Sequence, residues 1–234
     1  MNNEKVNLTN DAYSLHRILK TDIKKDPNVE EDEIIFGCGC FWGAEKCFWK
    51  LPGVVTTSVG YAGGEKNNPT YYEVCSGLTG HSEVVRVIWD KREIDVSDLL
   101  KMFWECHDPT QKNRQGNDMG TQYRSAIYYK NENNIKTILA SKEQYQKELN
   151  KKNLGLIETE IKMIDSYFYA EQYHQQYLAS AGSRQYCSAS PTKVKLGVFT
   201  GSNYKLEDHI WENFNWEVDK CVLRSDNNPI KNNI

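Results

Sequence analysis

Apolar residues recur along this chain at two spacings, and the points where one spacing gives way to the other divide it into elements. Ile34, Ile35 and Phe36 make a brief apolar run, and Gly37 and Gly39 permit a sharp bend after it. Phe41, Ala44, Phe48 and Leu51 then recur at helical spacing until Pro52-Gly53 ends the pattern, predicting a strand at 34–37 and a helix at 41–51. A strand is expected at 54–61, followed by a long Gly- and Asn-bearing loop and a strongly apolar strand at 83–89. Ser97 is the expected N-cap of a helix at 97–107, whose inner face carries Leu99, Leu100, Phe103 and Cys106. A further strand is expected at 122–130.

Strand, helix, strand, strand, helix, strand is the order of a split β-α-β unit. The expected class is therefore α+β, a ferredoxin-like two-layer sandwich with an appended helix at 132–151 and an appended strand at 156–164. A last core helix is expected over 170–178. Three segments follow: a polar N-terminal extension at 1–33, helical near 12–19, a main domain at 34–182, and a long tail at 183–234. In the tail Leu206, Ile210, Phe214 and Val218, spaced by four, predict a packed terminal helix with Cys221 near its end.

With 234 residues and 39% hydrophobic content the chain can bury one good core. A formal net charge of −3, with Lys and Arg spread evenly, argues against nucleic-acid binding, and no apolar run approaches the roughly 20 residues of a spanning helix. The first residues lead into no hydrophobic signal segment, so a cytoplasmic, monomeric protein is expected, its seven cysteines mostly reduced. There is no Cys-x-x-Cys pair, and Cys38 and Cys40 have no second pair at zinc spacing. No metal is expected, and redox chemistry at one or two positions fits better.

The chemistry centres on Cys40. It falls at the first turn of the first helix, where unpaired N–H groups and the positive end of the dipole are expected to lower the thiol pKa and make it a nucleophile. Phe41 and Trp42 offer a flat apolar surface on which a methyl group on sulfur could rest. Glu83 shares a strand face with Val85, Val87 and Trp89, and poor hydration there would keep its carboxyl protonated near neutral pH, as an acid. The loops around 68–76 and 115–124 bring hydrogen-bonding groups: Tyr71 and Tyr123 as donors, Asp118 as acceptor or relay.

The motifs Gly39-Cys40-Phe41-Trp42-Gly43, Gly60-Tyr61-Ala62-Gly63-Gly64, Asn68-Pro69-Thr70-Tyr71, Thr79-Gly80-His81-Ser82-Glu83-Val84-Val85 and His107-Asp108-Pro109-Thr110-Gln111 stand in one order. Arg114-Gln115-Gly116-Asn117-Asp118, Gly120-Thr121-Gln122-Tyr123-Arg124-Ser125 and Tyr173-His174-Gln175-Gln176-Tyr177-Leu178 continue the series. Together they resemble the A class of peptide methionine sulfoxide reductases from about residue 34 to 187. The resemblance implies Cys40 as nucleophile, Phe41 and Trp42 as the wall for the substrate methyl, and Glu83 as the acid. It implies Tyr71 and Tyr123 as hydroxyls on the sulfoxide oxygen, with Asp118 supporting them. The implied reaction reduces the S epimer of methionine sulfoxide, in proteins and as the free amino acid, with no cofactor and with thioredoxin, or dithiothreitol in vitro, as reductant. Residues 34–182 are then the catalytic domain.

Attack by Cys40 would leave it as a sulfenic acid, which a second thiol must condense with. Cys187, in Gln185-Tyr186-Cys187, matches the resolving position of the family, but Ser188-Ala189-Ser190-Pro191-Thr192-Lys193 replaces the glycine-rich stretch expected beyond it. Cys221 is the second candidate, and sequence alone ranks the two nearly equal. Cys38, Cys47, Cys75 and Cys106 are expected to be packed thiols. Two competing readings are a cysteine hydrolase with His81, His107 or His174 as base, and a redox-sensing or methionine-binding module without turnover.

Overall fold

The computed structural model describes residues 14–218 and 220–232. Among these residues eight strands form: β1 (Glu31–Cys38), β2 (Val54–Ala62), β3 (Ser82–Asp90), β4 (Arg114–Gln115), β5 (Asp118–Met119), β6 (Ser125–Tyr129), β7 (Glu160–Met163) and β8 (Tyr167–Tyr169). Six helices accompany them: α1 (Phe41–Trp49), α2 (Tyr71–Cys75), α3 (Val96–Cys106), α4 (Ile135–Lys151), α5 (Asp208–Trp211) and α6 (Cys221–Arg224). The arrangement is a mixed α/β one built on a six-stranded sheet in the order β7-β6-β1-β3-β2-β8. All neighbours run antiparallel except β6 and β7, which are parallel.

One face of the sheet carries the main core. Ile34 and Phe36 of β1, Val85 and Val87 of β3 and Ile127 of β6 pack with Phe48 of α1 and Phe103 of α3, and Phe36 lies between the two rings. α4 extends this layer through Trp104 of α3, which stacks on Tyr145 and donates to the Ser141 hydroxyl at 2.9 Å. The opposite face holds a smaller cluster around Ile35, Val84 and Tyr128 and a buried ion pair, Arg86 to Glu33 at 2.5 Å, so both faces of the sheet are covered. Among the described residues no helix is long and apolar enough to cross a membrane.

Several sequence expectations are corrected. α3 is capped by Asp95, not Ser97, because the Asp95 carboxylate accepts from Ser97 N while Asp98 reaches back to Asp95 N, a reciprocal pair that a hydroxyl at 97 cannot match. No helix runs through 170–178. Two single 3₁₀ turns, Gln172–His174 and Tyr177–Ala179, flank Gln176, which is held left-handed (φ 46°) by the buried Glu45 carboxylate accepting its backbone N–H and side-chain amide. Residues 14–19 form no helix either: Leu15 bridges to Asp22, and His16 Nδ1 accepts from Ile18 N and Leu19 N in a turn; Ala12 lies outside the described residues.

The four-spaced tail residues do not build one helix, although Leu206, Ile210 and Phe214 are buried as expected. Only the short turns α5 and α6 form, because side chains of the main core take the tail's backbone groups. Asp98 accepts from Lys205 N and Leu206 N, Glu105 from Leu196 N, and Lys46 and Lys50 donate to carbonyls at 225, 226 and 228.

Candidate active site

The carboxyl ends of β1 and β2, the start of β3 and the loops beyond them enclose an open cavity of about 350 Å³. Every site residue expected on sequence grounds, except the two resolving candidates, lines it: Cys40, Phe41, Trp42, Tyr71, Glu83, Asp118 and Tyr123. Cys40, Phe41 and Trp42 come from the start of α1 and the other four each from a different element. Cys40 is the N-cap of α1, after Gly39 makes the bend with φ +85°, a conformation suited to glycine; a Cβ there would also lie 2.5 Å from Gln115 Cβ. Glu83 enters from β3, Tyr71 from the first position of α2, Asp118 from the β4-β5 hairpin and Tyr123 from the 3₁₀ turn Thr121–Tyr123.

Glu83 is 2% exposed and lies on the helix-bearing face of the sheet. Its Oε2 accepts the Phe41 N–H at 3.1 Å, which fixes the carboxyl at the mouth of α1 beside Cys40. Burial, reinforced by the nearby Asp118, raises its pKa to about 8 against the pull of that N–H. Near neutral pH the group is therefore a carboxylic acid with a proton to give.

The expected lowering of the Cys40 pKa is not found. Withdrawal from water and the adjacent Glu83 carboxyl push the thiol well up, while the Trp42 N–H draws it down. The partial charge of a helix start is smaller than the cost of placing a second negative charge in a cavity that already holds two carboxyl groups. Cys40 therefore rests as a thiol near neutral pH.

Phe41 is buried and Trp42 half-buried, and together they make one wall. The Trp42 plane is fixed twice: its Nε1–H donates to His174 Nδ1 at 3.1 Å, and its ring stacks on Tyr177 at 3.9 Å between centroids. Burial lowers the His174 pKa to about 4, so the ring stays neutral and its Nδ1 remains an acceptor. Tyr71 is anchored by Glu171, whose carboxylate accepts Tyr71 N at 2.8 Å and the Tyr61 hydroxyl at 2.8 Å. Burial raises the pKa of both Tyr71 and Tyr123, so both hydroxyls are donors at physiological pH.

Asp118 takes its hydrogen bond from Tyr186, at 2.5 Å, rather than from Tyr71 or Tyr123. Tyr177, Arg184 and Tyr186 complete the cavity lining and were not singled out from sequence. Tyr177 and Tyr186 stand inside motifs quoted above, but a tyrosine in an irregular segment carries no periodicity to mark which way it turns. No histidine lines the cavity. His81 is engaged by Gly64 N and Lys66 O, His107 by Phe103 O and the Ser125 hydroxyl, and His174 by Trp42. A hydrolase reading thus has no general base beside Cys40.

The two resolving candidates part company. Cys187 is 4% exposed and packs on Gly43 of α1, one turn beyond Cys40: a Cβ at Gly43 would lie 2.5 Å from the Cys187 sulfur. Cys187 is near enough for its charge to raise the Cys40 pKa, whereas Cys221, on α6, has Cys47 and Cys187 as its sulfur neighbours.

The sequence model of the family described as peptide methionine sulfoxide reductase matches residues 32–204. Peptide methionine sulfoxide reductase MsrA of Vibrio vulnificus is 53% identical over 180 residues, covering 77% of this chain and 86% of the relative. The mitochondrial peptide methionine sulfoxide reductase of Bos taurus is 56% identical over 166 residues, 70% of this chain and 71% of its own. Among solved structures, methionine sulfoxide reductase A of Corynebacterium diphtheriae superposes with a TM-score of 0.63 at 44% identity, covering 70% of this chain and 79% of that one.

Proposed function

The chain belongs to the peptide methionine sulfoxide reductase family and is an oxidoreductase of that class, and from this premise we propose that Cys40 reduces the S epimer of methionine sulfoxide, free and in proteins. The observation that carries the reading is the meeting, in one cavity, of a thiol at a helix mouth, a flat apolar wall and a carboxylic acid that keeps its proton near neutral pH. The substrate methyl rests on Phe41 and Trp42. Its oxygen faces Glu83, Tyr71 and Tyr123.

A sulfoxide sulfur is a poor electrophile until its oxygen is protonated or hydrogen-bonded. Glu83 gives its proton to that oxygen as the Cys40 sulfur attacks, and the polarised substrate supplies the positive character that the thiol lacks at rest. The S–O bond breaks, the hydroxyl passes to Cys40 as a sulfenic acid, methionine leaves, and the thiol proton returns to Glu83. Cys187 then condenses with the sulfenic acid, releasing water and forming a Cys40–Cys187 disulfide. A dithiol reductant of the thioredoxin class, or dithiothreitol in vitro, restores the thiols, and no prosthetic group takes part. We also read the β6-β1-β3-β2 order with α1 and α3 as the ferredoxin-like split β-α-β core. The 34–182 catalytic domain, its N-terminal extension and its tail belong to the same reading.

Cys40→Ser is expected to abolish methionine formation from methionine sulfoxide with dithiothreitol as reductant. Turnover retained by that variant would remove Cys40 from the role.

A further inference from the structure

Five thiols border one narrow cleft behind the candidate active site: Cys38, Cys47, Cys106, Cys187 and Cys221, with Trp216 closing one side. The free space is about 20 Å³, room for about one water and no larger molecule, so the cleft admits no methionine sulfoxide of its own. Cys106 donates to the Phe103 carbonyl and both His107 nitrogens are engaged, which leaves the adjoining Cys38-Cys106-His107 group poorly disposed to hold a metal.

Three positions of α1 order the cleft. Cys40, Gly43 and Cys47 stand at i, i+3 and i+7, on one face of the helix. Gly43 has no side chain, and the Cys187 sulfur occupies the gap it leaves, between the two cysteines of that face. Cys187 belongs to a segment with no helix or strand from 183 to 207, so its side chain and backbone can turn without breaking a regular element. Cys221 opens α6, which packs on α1, and it is the partly exposed member of the group. Cys47 also lies near enough to both tail thiols to act electrostatically on each.

We propose that Cys47 is an internal relay thiol, taking the disulfide from Cys187 and delivering it to Cys221 at the surface. The inference rests on the reductase reading above and adds a step after it. The Cys47 sulfur, giving up its proton, attacks Cys187 of the Cys40–Cys187 disulfide. A Cys47–Cys187 bond forms, the bond to Cys40 breaks, and the proton ends on the released Cys40 thiol. The Cys221 sulfur then attacks Cys47 in the same way, forming Cys47–Cys221 and freeing Cys187. Each exchange is electron-neutral. The two-electron oxidation came from the sulfoxide, and a dithiol reductant of the thioredoxin class removes it from the Cys221 side. A freed Cys40 and Cys187 can accept a second sulfoxide before any reductant acts.

The test counts methionine released per chain by the full-length protein given excess free methionine sulfoxide without reductant, followed by disulfide mapping. The unaltered chain is expected to release two, ending with Cys40–Cys187 and Cys47–Cys221 disulfides. Cys47→Ala is expected to release one and stop at Cys40–Cys187. Cys221→Ala is expected to release two, with a Cys47–Cys187 disulfide present. Two methionines from Cys47→Ala, or a Cys187–Cys221 disulfide with reduced Cys47 in the unaltered chain, would overturn the relay. Should Cys47→Ala release none, the Cys221→Ala chain decides: Cys47 joined to Cys187 upholds the relay and reduced Cys47 rejects it. No methionine from the unaltered chain would instead sink the reductase reading itself.

Discussion

The Glu83 carboxyl holds its proton because the strand that carries it lies between two packed layers, and among the described residues a single N–H, that of Phe41, favours its charge. Its raised pKa gives a sign to the pH dependence. Below about 8 the acid is protonated and competent; above it the carboxylate faces an oxygen it cannot protonate. Methionine formation in a single turnover is therefore expected to be sustained up to that pH and to fall beyond it. Glu83→Gln keeps a hydrogen-bond donor but has no proton to transfer, so it is expected to slow the step about 10²–10⁴-fold and to remove the alkaline fall. Unchanged rate constants from rapid quenching would show that the carboxyl is not the acid. Trp42 illustrates the opposite dependence, since its place as a methyl wall comes from His174 and Tyr177, residues 132 and more positions away.

α1 does more than present Cys40. Its inner side packs on the sheet, Glu45 locks Gln176 and thereby the segment that aims Tyr177, and Gly43 leaves the space that Cys187 fills. Gly43→Ala is expected to test that last role. The added methyl would stand 2.5 Å from the Cys187 sulfur and must displace it. Overpacking of this kind costs about 1–3 kcal/mol, so formation of the Cys40–Cys187 disulfide after one equivalent of sulfoxide should slow by roughly tenfold or more. Alkylation and mass mapping over time measure it, and an unchanged rate would mean that Cys187 reaches Cys40 from elsewhere. The elements α2, β4, β5 and β8 were not foreseen. Each has two to five residues, too few for a period to repeat, and each is held by distant partners such as Glu171 on Tyr71 N.

Across the whole molecule the tail is part of the core rather than an appendage. Leu196, Phe199, Leu206, Ile210 and Phe214 are buried in the main cluster, and the tail's backbone is stitched to α1 and α3 by Lys46, Lys50, Asp98 and Glu105. Ile210 is fully buried. Ile210→Ala is expected to destabilise the protein by about 2–5 kcal/mol, seen as a lowered midpoint of a single unfolding transition. A separate early transition, or no shift, would show that the tail unfolds on its own.

The ordered series of motifs and the apolar periods were enough to foresee the reductase family, the strands and helices of the central core and the seven residues that meet in the cavity. Those features depend on local spacing and on residue types that one chemistry requires. The left-handed Gln176, the short turns of the tail, the raised Cys40 pKa and the parting of Cys187 from Cys221 were decided only in three dimensions. Each depends on a partner far along the chain, Glu45 for Gln176, Gly43 for Cys187, Glu83 for Cys40, and a long-range hydrogen bond, contact or desolvation leaves no period in the sequence that it joins.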